Sequence, residues 1–516
     1  MTPLDAAPGQ AAGATPEDLH RLKIEWMREG RSGGVPSNVD FAARLSSEER
    51  ARLGIGVRRK PTRTLSGVAV VAVMTAPARC PHGRCTYCPG GLENRSPQSY
   101  TGEEPSALRG AQFDYDARRI TEHRLETLET VGHPTSKVEV IVMGGTFPSR
   151  PAAYRASVFQ GIFDGLNGHP SPSLPEAQVR NETAAHRCVS LTVETRPDWC
   201  DGRVLPDLLE AGVTRVEIGV ECLRDEVLWS IGRAHGVEAV VLATREARDR
   251  GLKVCYHMML GLPGMSPDRD VEDFARLFSE PALRPDMLKI YPTLVLPGTE
   301  LFEDLRAGRY APYDTPTAVD VLARVKALVP PWVRIQRIQR DIPARLIAAG
   351  VRASNVRQLA LRKMAAEGRE CRCLRCREVG RRATPPPESL ELTATRYAAA
   401  GGEEHFLAME DPSSGAVAGF LRLRVPSAPS SGGLDAPVIR ELKVLGAETP
   451  IGGAVLPTMG YQHRGFGHRL MDRAEMVTRE SGFDRIYVLS AVGTREYYRR
   501  TGYMRSGAHM MKRLFA

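Results

Sequence analysis

Cys80-Pro-His-Gly-Arg-Cys85-Thr-Tyr-Cys88 places three thiols within nine residues, directly before Pro89-Gly90-Gly91. Three thiolates this close can hold three irons of a 4Fe–4S cluster and leave the fourth iron open. An open iron is what chelation of S-adenosylmethionine (SAM) needs, because an electron must pass to the neighbouring sulfur–carbon bond and break it. A zinc site completed by His82, or three structural thiols, are the other chemistries the triad allows. A second set, Cys371-Arg-Cys373-Leu-Arg-Cys376, repeats the crowding of thiols. In a reducing compartment such clusters point to metal rather than to disulfides. The other four cysteines, Cys188, Cys200, Cys222 and Cys255, are scattered and suit buried apolar positions. A different chemistry is suggested near the end of the chain. Gln462-His-Arg464-Gly465-Phe466-Gly467-His468 opens an amphipathic helix running to about Ser481. Backbone N–H groups exposed at such a turn can bind a pyrophosphate.

The elements that must position these residues alternate. Short β-branched runs occur at Val68–Thr75, Val138–Met143, Ser190–Val193, Arg215–Val220, Lys253–Met259 and Met287–Tyr291. Amphipathic segments such as Arg203–Ala211 and Val237–Arg250 lie between them. This predicts an α/β fold with six parallel βα units, a partial TIM-like (βα)6 barrel rather than a closed eight-fold one. Chemistry then collects where strands end and loops begin. Cys80 follows the first strand, Gly144-Gly145-Thr146-Phe147 the second, and Glu194-Thr-Arg196-Pro-Asp198 the third. Glu194 could hold a ribose or carboxylate of SAM. Glu217 and Glu221 flank the fourth strand, and Lys289 and Tyr291 lie on the sixth. From Leu390 onward the pattern changes to antiparallel hairpins, a helix, a strand and a short helix, an α+β arrangement. Arg440-Glu441-Leu442-Lys443-Val444 forms a strand before the Gly465 turn, and Glu496-Tyr497-Tyr498 opens a short helix after it.

The chain of 516 residues has length enough for about three domains, and its 42% hydrophobic and 25% charged residues exclude a disordered or fibrous protein. No apolar run approaches a membrane span, and no secretory signal is visible, so a cytoplasmic protein is expected. Lys and Arg number 70 against 61 Asp and Glu, a net charge of +9. Residues 331–382 alone carry 14 basic and 4 acidic residues, more than the surplus of the whole chain. The expected organisation is an N-terminal extension at 1–57 with short helices at Leu19–Arg28 and Phe41–Leu53, a barrel domain at 58–330, a basic linker at 331–388, and an α+β domain at 389–516. Arg337, Arg340, Arg345 and Arg352, with Arg58, Arg59 and Lys60, are the natural candidates for phosphate contacts with nucleic acid.

The thiol triad and the Gly144-Gly145 turn resemble radical SAM enzymes, although four residues rather than the common three separate the first two cysteines. The Arg440 strand, the Gly465 turn and the tyrosine helix resemble the GNAT acetyltransferase fold. Both in one chain resemble the family of the catalytic third subunit of Elongator, from about Arg58 to Ala516. The resemblance implies a tRNA-modifying enzyme that builds a carboxymethyl group on carbon 5 of the wobble uridine from acetyl-CoA. It implies that Cys80, Cys85 and Cys88 ligate a 4Fe–4S cluster, that Gly144, Gly145, Glu194 and Lys289 serve SAM, and that Lys137 contacts acetyl-CoA from the barrel domain. Glu441, Leu442, Lys443 and Val444, with Gln462, Gly465, Phe466, Gly467, His468 and Tyr498, match the family's CoA-contacting positions, with Tyr498 near the thioester. Cys371, Cys373 and Cys376 match its zinc site, whose fourth ligand is open, with His405 and His509 as distant candidates. A homodimer is one assembly such a chain could form. The rivals are a protein lysine acetyltransferase with a merely structural iron–sulfur domain, and a tRNA-binding scaffold that senses acetyl-CoA.

Overall fold

The β-branched runs do form one parallel sheet. In the computed structural model, which describes residues 16–30, 34–36, 41, 44–46, 48–49, 64–429, 431–448 and 460–514, its strands are β1 (Val68–Met74), β2 (Lys137–Met143), β3 (Arg187–Thr195), β4 (Arg215–Glu221), β5 (Lys253–Leu260), β6 (Met287–Pro292) and β7 (Arg334–Ile338). They pair in sequence order, all parallel, as an open half-barrel. Every residue of β4 is buried, as expected of a strand covered on both faces. The six expected strands are all present. The seventh, Arg334-Ile-Gln-Arg-Ile, lies within the charge-rich stretch, and its charges hide its alternation. It pairs with β6, and only Ile335 is fully buried. The rest of that stretch also folds onto the barrel: Arg357 donates to the Ile335 carbonyl at 3.1 Å, and the Leu374 N–H donates to the Val333 carbonyl at 2.9 Å.

A second, mixed sheet follows: β8 (Glu391–Ala399), β9 (Gly402–Glu410), β10 (Val417–Pro426), β11 (Val438–Val444), β12 (Arg485–Val488), β13 (Met504–Ser506) and β14 (His509–Arg513). Its spatial order is β13-β14-β12-β11-β10-β9-β8. Only β11 and β12 run parallel, and they pair at Val438–Tyr487 and Ile439–Val488 alone. Beyond Ile439 the two strands diverge, while β11 stays paired with β10 as far as Val444.

The second sheet docks on the end of the barrel where strands begin. Asp286, just before β6, accepts two hydrogen bonds of 2.7 Å from Arg440 of β11 and one of 2.9 Å from the Val254 N–H. Around it lie Arg248, Arg422, Arg424, Glu404, Glu441 and Asp249, all buried. No helix among the described residues is long and apolar enough to cross a membrane. The expected first helix is present as Pro16–Arg28. Arg58, Arg59, Lys60 and Arg63, and most of the expected helix Phe41–Leu53, lie outside the described residues.

Candidate active site

At the opposite end of the barrel, where strands finish, the loop after β1 folds the thiol triad into a pocket. The Cys88 N–H donates to the Cys85 carbonyl at 2.9 Å, and the Thr86 N–H donates to the Ile231 carbonyl at 3.1 Å. Each sulfur faces a donor: Cys88 the Ser99 N–H at 3.1 Å, Cys80 the Thr146 hydroxyl at 3.6 Å, and Cys85 both His82 Nε2 at 3.2 Å and Arg233 at 3.8 Å. Burial pushes the Cys80 and Cys88 thiols up. The donors suit thiolates, and a cationic partner would favour them over thiols. Among the described residues the sulfurs of Cys371, Cys373 and Cys376 lie within 4.8 Å of one another, whereas those of Cys80, Cys85 and Cys88 do not. One tetrahedral ion needs such close spacing. The His82 ring is pushed down to about 4 by burial and by Arg196 and Arg233.

Gly144 and Gly145 end β2 with φ of +139° and +81°. A Cβ on Gly144 would stand 2.1 Å from Thr75 Oγ1, and one on Gly145 would stand 3.6 Å from the Cys80 sulfur. The glycines therefore let β2's end close against the triad. Gly144→Ala is expected to cost about 1–3 kcal/mol and to lower iron retained after reconstitution, read by denaturant titration and iron assay. Glu194 accepts from the Tyr100 hydroxyl at 2.8 Å. Arg196 does not reach into the pocket alone; it is bidentate with Asp198 at 2.9 and 3.0 Å. Lys289 binds the Glu217 carboxylate, which also meets His257 Nε2 at 2.9 Å and Arg215 at 3.4 Å. Burial alone would raise the Glu217 carboxyl, but Lys289, His257 and Arg215 together hold it well below the usual range. The same pocket is lined by Cys80, Cys85, Cys88, Gly145, Glu194, Lys289, His257, Arg233, Arg337 and Arg340. Tyr100, Arg233 and His257 escaped the sequence motifs. For His257 the available signal was period two along β5, which turns Cys255, His257 and Met259 to one face.

The carboxyl-terminal candidates gather elsewhere, at the gap between β11 and β12. Glu441, Leu442, Lys443 and Val444 lie beyond the last β12 partner, so among the described residues no strand pairs with their edge toward β12. Gly465, at φ +78°, precedes the helix Phe466–Glu480, which has no side-chain cap. The N–H groups of Phe466, Gly467 and His468 thus stand at an uncapped helix start. A Cβ on Gly467 would meet the Tyr497 hydroxyl at 3.0 Å. Gln462 donates to the Ser66 carbonyl at 3.2 Å. Tyr498 is buried beside Tyr497 and Tyr503, and its phenol is pushed up by that burial and by Tyr497. Lys137, the first residue of β2, lies at the barrel end away from the thiol triad and pairs with Glu448 at 3.9 Å, four residues past Val444. It therefore borders this second cleft.

Cys371, Cys373 and Cys376 converge, and buried Lys326 lies 3.1 Å from the Cys371 sulfur and 3.8 Å from that of Cys376. Neither suggested histidine takes part. His405 meets Glu403 at 2.7 Å, and His509 meets the Arg250 carbonyl at 2.9 Å.

A model of the radical SAM superfamily matches residues 75–278, and one of the radical SAM C-terminal domain matches residues 285–366. The chain is 45% identical to the tRNA uridine(34) acetyltransferase of Methanocaldococcus infernus, over 96% of this chain and 95% of that one. It is 43% identical to human Elongator complex protein 3, over 96% and 93% of the two chains. The solved structure of archaeal Methanocaldococcus infernus Elp3 lacking its N-terminus superposes with a TM-score of 0.78 at 42% identity, covering 87% of this chain and all of that one. Thiol pocket, glycine turn and docked second sheet are thus found in a chain related along almost its whole length to these proteins, and it belongs to the radical SAM family of Elongator complex protein 3 and the tRNA uridine(34) acetyltransferases.

Proposed function

We propose that the protein forms 5-carboxymethyluridine at the wobble position of tRNA, drawing the two-carbon unit from acetyl-CoA by radical SAM chemistry. The observation that carries this reading is the placement of a thiol-triad pocket and an open strand-edge cleft at the two ends of one barrel. A reduced 4Fe–4S cluster with SAM supplies a carbon radical able to take hydrogen from an acetyl methyl group. The chain's own residues do the rest. The Cys80, Cys85 and Cys88 sulfurs would hold the cluster, and Glu194 and Lys289, which line the same pocket, would meet polar groups of SAM. The splayed β11 edge at Glu441–Val444 matches a GNAT pantetheine groove, with the N–H groups after Gly465 suited to the pyrophosphate. Lys137 borders that groove, and Tyr498, kept protonated at neutral pH, can orient or protonate the thioester sulfur.

A strand of seven residues spans roughly 20 Å, a distance the acyl arm must bridge. Lys253 donates to the Arg440 carbonyl at 3.3 Å beside the groove, and Arg215 links Glu139 to Glu217 beneath the pocket. Arg337 and Arg340 line the pocket, and Arg345 and Arg352 are exposed nearby in the chain, which suits an RNA backbone held over the opening. The wobble base must leave its stack to enter. Cys371, Cys373 and Cys376 would bind one zinc ion with Lys326 alongside, as a structural staple. Free thiols and a tRNA substrate fit a cytoplasmic setting.

The test is anaerobic. Reconstituted protein would receive unmodified tRNA, SAM, a reductant and acetyl-CoA labelled in its methyl carbon, with nucleosides read by mass spectrometry. Labelled carboxymethyluridine is expected, with 5′-deoxyadenosine formed alongside it. Deoxyadenosine without labelled nucleoside would remove the RNA target. Neither product from a loaded cluster would sink the radical reading and favour a protein lysine acetyltransferase.

A further inference from the structure

Carbon–carbon bond formation at uridine C5 leaves that carbon tetrahedral, still bearing its hydrogen, with the unpaired electron at C6. Restoring the ring double bond requires a base for the C5 proton. We propose that His257 is that base and that Glu217 positions it, an inference that rests on the function proposed above.

His257 faces into the thiol pocket from β5 with its side chain 15% exposed. Its Nε2 lies 2.9 Å from Glu217 Oε2. Glu217 is a carboxylate, held ionised by Lys289 and Arg215, so it can only accept. In the neutral ring Nε2 therefore carries the hydrogen, and Nδ1 is the nitrogen left to take a proton. Nδ1 makes no hydrogen bond to any described residue. The Tyr291 ring, edge-on with centroids 5.6 Å apart, holds the imidazole plane from the side. The other basic groups lining the pocket are engaged. Glu194 accepts from Tyr100, Glu104 from the Thr101 and Gly102 N–H groups, Glu221 lies 3.6 Å from Arg233, and Asp341 pairs with Arg337. His82 is turned to the Cys85 sulfur. Glu217, Cys255 and His257 also lie close enough to share a metal ion, but the Lys289 ammonium already occupies the Glu217 oxygen that faces His257.

The step balances as follows. The C5–H bond breaks, its proton moves to His257 Nδ1, and its electron pair joins the unpaired C6 electron in the ring π system. The surplus electron leaves to a one-electron acceptor of the iron–sulfur class, the same class that supplied one at the start. The imidazolium is stabilised across the 2.9 Å contact with Glu217, and later loses its proton to water entering the opened pocket.

Two measurements test this. In the apo protein, ¹⁵N-histidine spectra should show a histidine with a protonated Nε2 and a bare Nδ1 that is missing from His257→Gln; the opposite tautomer overturns the proposal. In the labelled acetyl-CoA assay, His257→Gln, whose amide can still donate to Glu217, should still form 5′-deoxyadenosine, and the readout is the carboxymethyluridine formed per deoxyadenosine. Its carboxymethyluridine should fall by about 10²-fold or more, with a nucleoside two mass units heavier in its place, where the C6 radical has taken a hydrogen instead. Added imidazole should restore product to His257→Ala. Undiminished product from His257→Gln overturns the proposal. So does loss of deoxyadenosine, which would put His257 before carbon–carbon bond formation. If the wild-type protein yields no labelled nucleoside, the underlying reaction falls and takes this step with it.

Discussion

Cys85→Ala protein is expected to form no measurable 5′-deoxyadenosine, a loss of at least about 10²-fold, since even removing the outer partners of a metal ligand costs 10- to 100-fold. Cys85 is the middle thiol of the triad and the one facing both Arg233 and His82. Two thiolates cannot hold three irons, so the loss falls on the cluster itself. The scaffold around the site should survive. Arg233 keeps the Gly219 carbonyl and Glu221 as partners, and removing one buried sulfur costs about 1 kcal/mol. Cys188→Ala is the matched control, because Cys188 is also buried, lies on β3 at the far end of the barrel, and its thiol donates to the Ser190 carbonyl at 3.7 Å. Iron content, acetyl-CoA binding and deoxyadenosine yield separate the two. Loss of iron and deoxyadenosine with acetyl-CoA binding unchanged is the expected pattern. Wild-type deoxyadenosine from Cys85→Ala would remove the triad from the chemistry.

What could be read from the sequence follows from how far apart the cooperating residues stand. The pocket triad is contiguous, and its sulfurs are held by bonds within the same loop and by neighbours such as Ser99, so spacing alone revealed it. The same holds for Gly144-Gly145 and for the Gly465 turn, where local backbone geometry does the work. His257 belongs to no motif, because its meaning lies in Glu217, 40 positions earlier, and in Lys289 beyond it. Lys326 is hidden for the same reason: it lies 45 positions before Cys371, far outside the thiol motif. The strand β7 was hidden by composition, since arginines at Arg334 and Arg337 masked a pattern that only pairing with β6 makes plain. Lys137 stands just before the expected second strand in sequence, but only the docking of the second sheet puts it beside Glu448 and the β11 groove.

Asp286→Asn should lower stability by about 3–5 kcal/mol, the range found when one member of a buried ion cluster is removed. Four arginines, Arg248, Arg422, Arg424 and Arg440, share this region with four carboxylates, Asp249, Asp286, Glu404 and Glu441. The charges cancel, and every side chain is almost wholly buried. Taking one carboxylate away leaves a guanidinium surplus with no water to screen it. Burial alone would raise the Asp286 carboxyl, but Arg248, Arg440 and Arg422 hold it far below the usual carboxylate range. Its contribution to stability is therefore present at neutral pH and down to about pH 4, the unfolded value, and is lost as pH falls further toward the folded one. Denaturant titrations at pH 7 and pH 3 should show the wild-type advantage over Asp286→Asn shrinking at the lower pH. Arg440→Met added to Asp286→Asn should recover part of the loss, because it removes the charge left unpaired. The cost reaches function through β11. Arg440 is the residue at which that strand leaves β12, so freeing it from Asp286 shifts the open edge at Glu441–Val444. A weaker grip on acetyl-CoA is then expected, with iron content unchanged. A stability loss under 1 kcal/mol, or an iron loss equal to that of Cys85→Ala, would show that this cluster does not hold the two sheets in register.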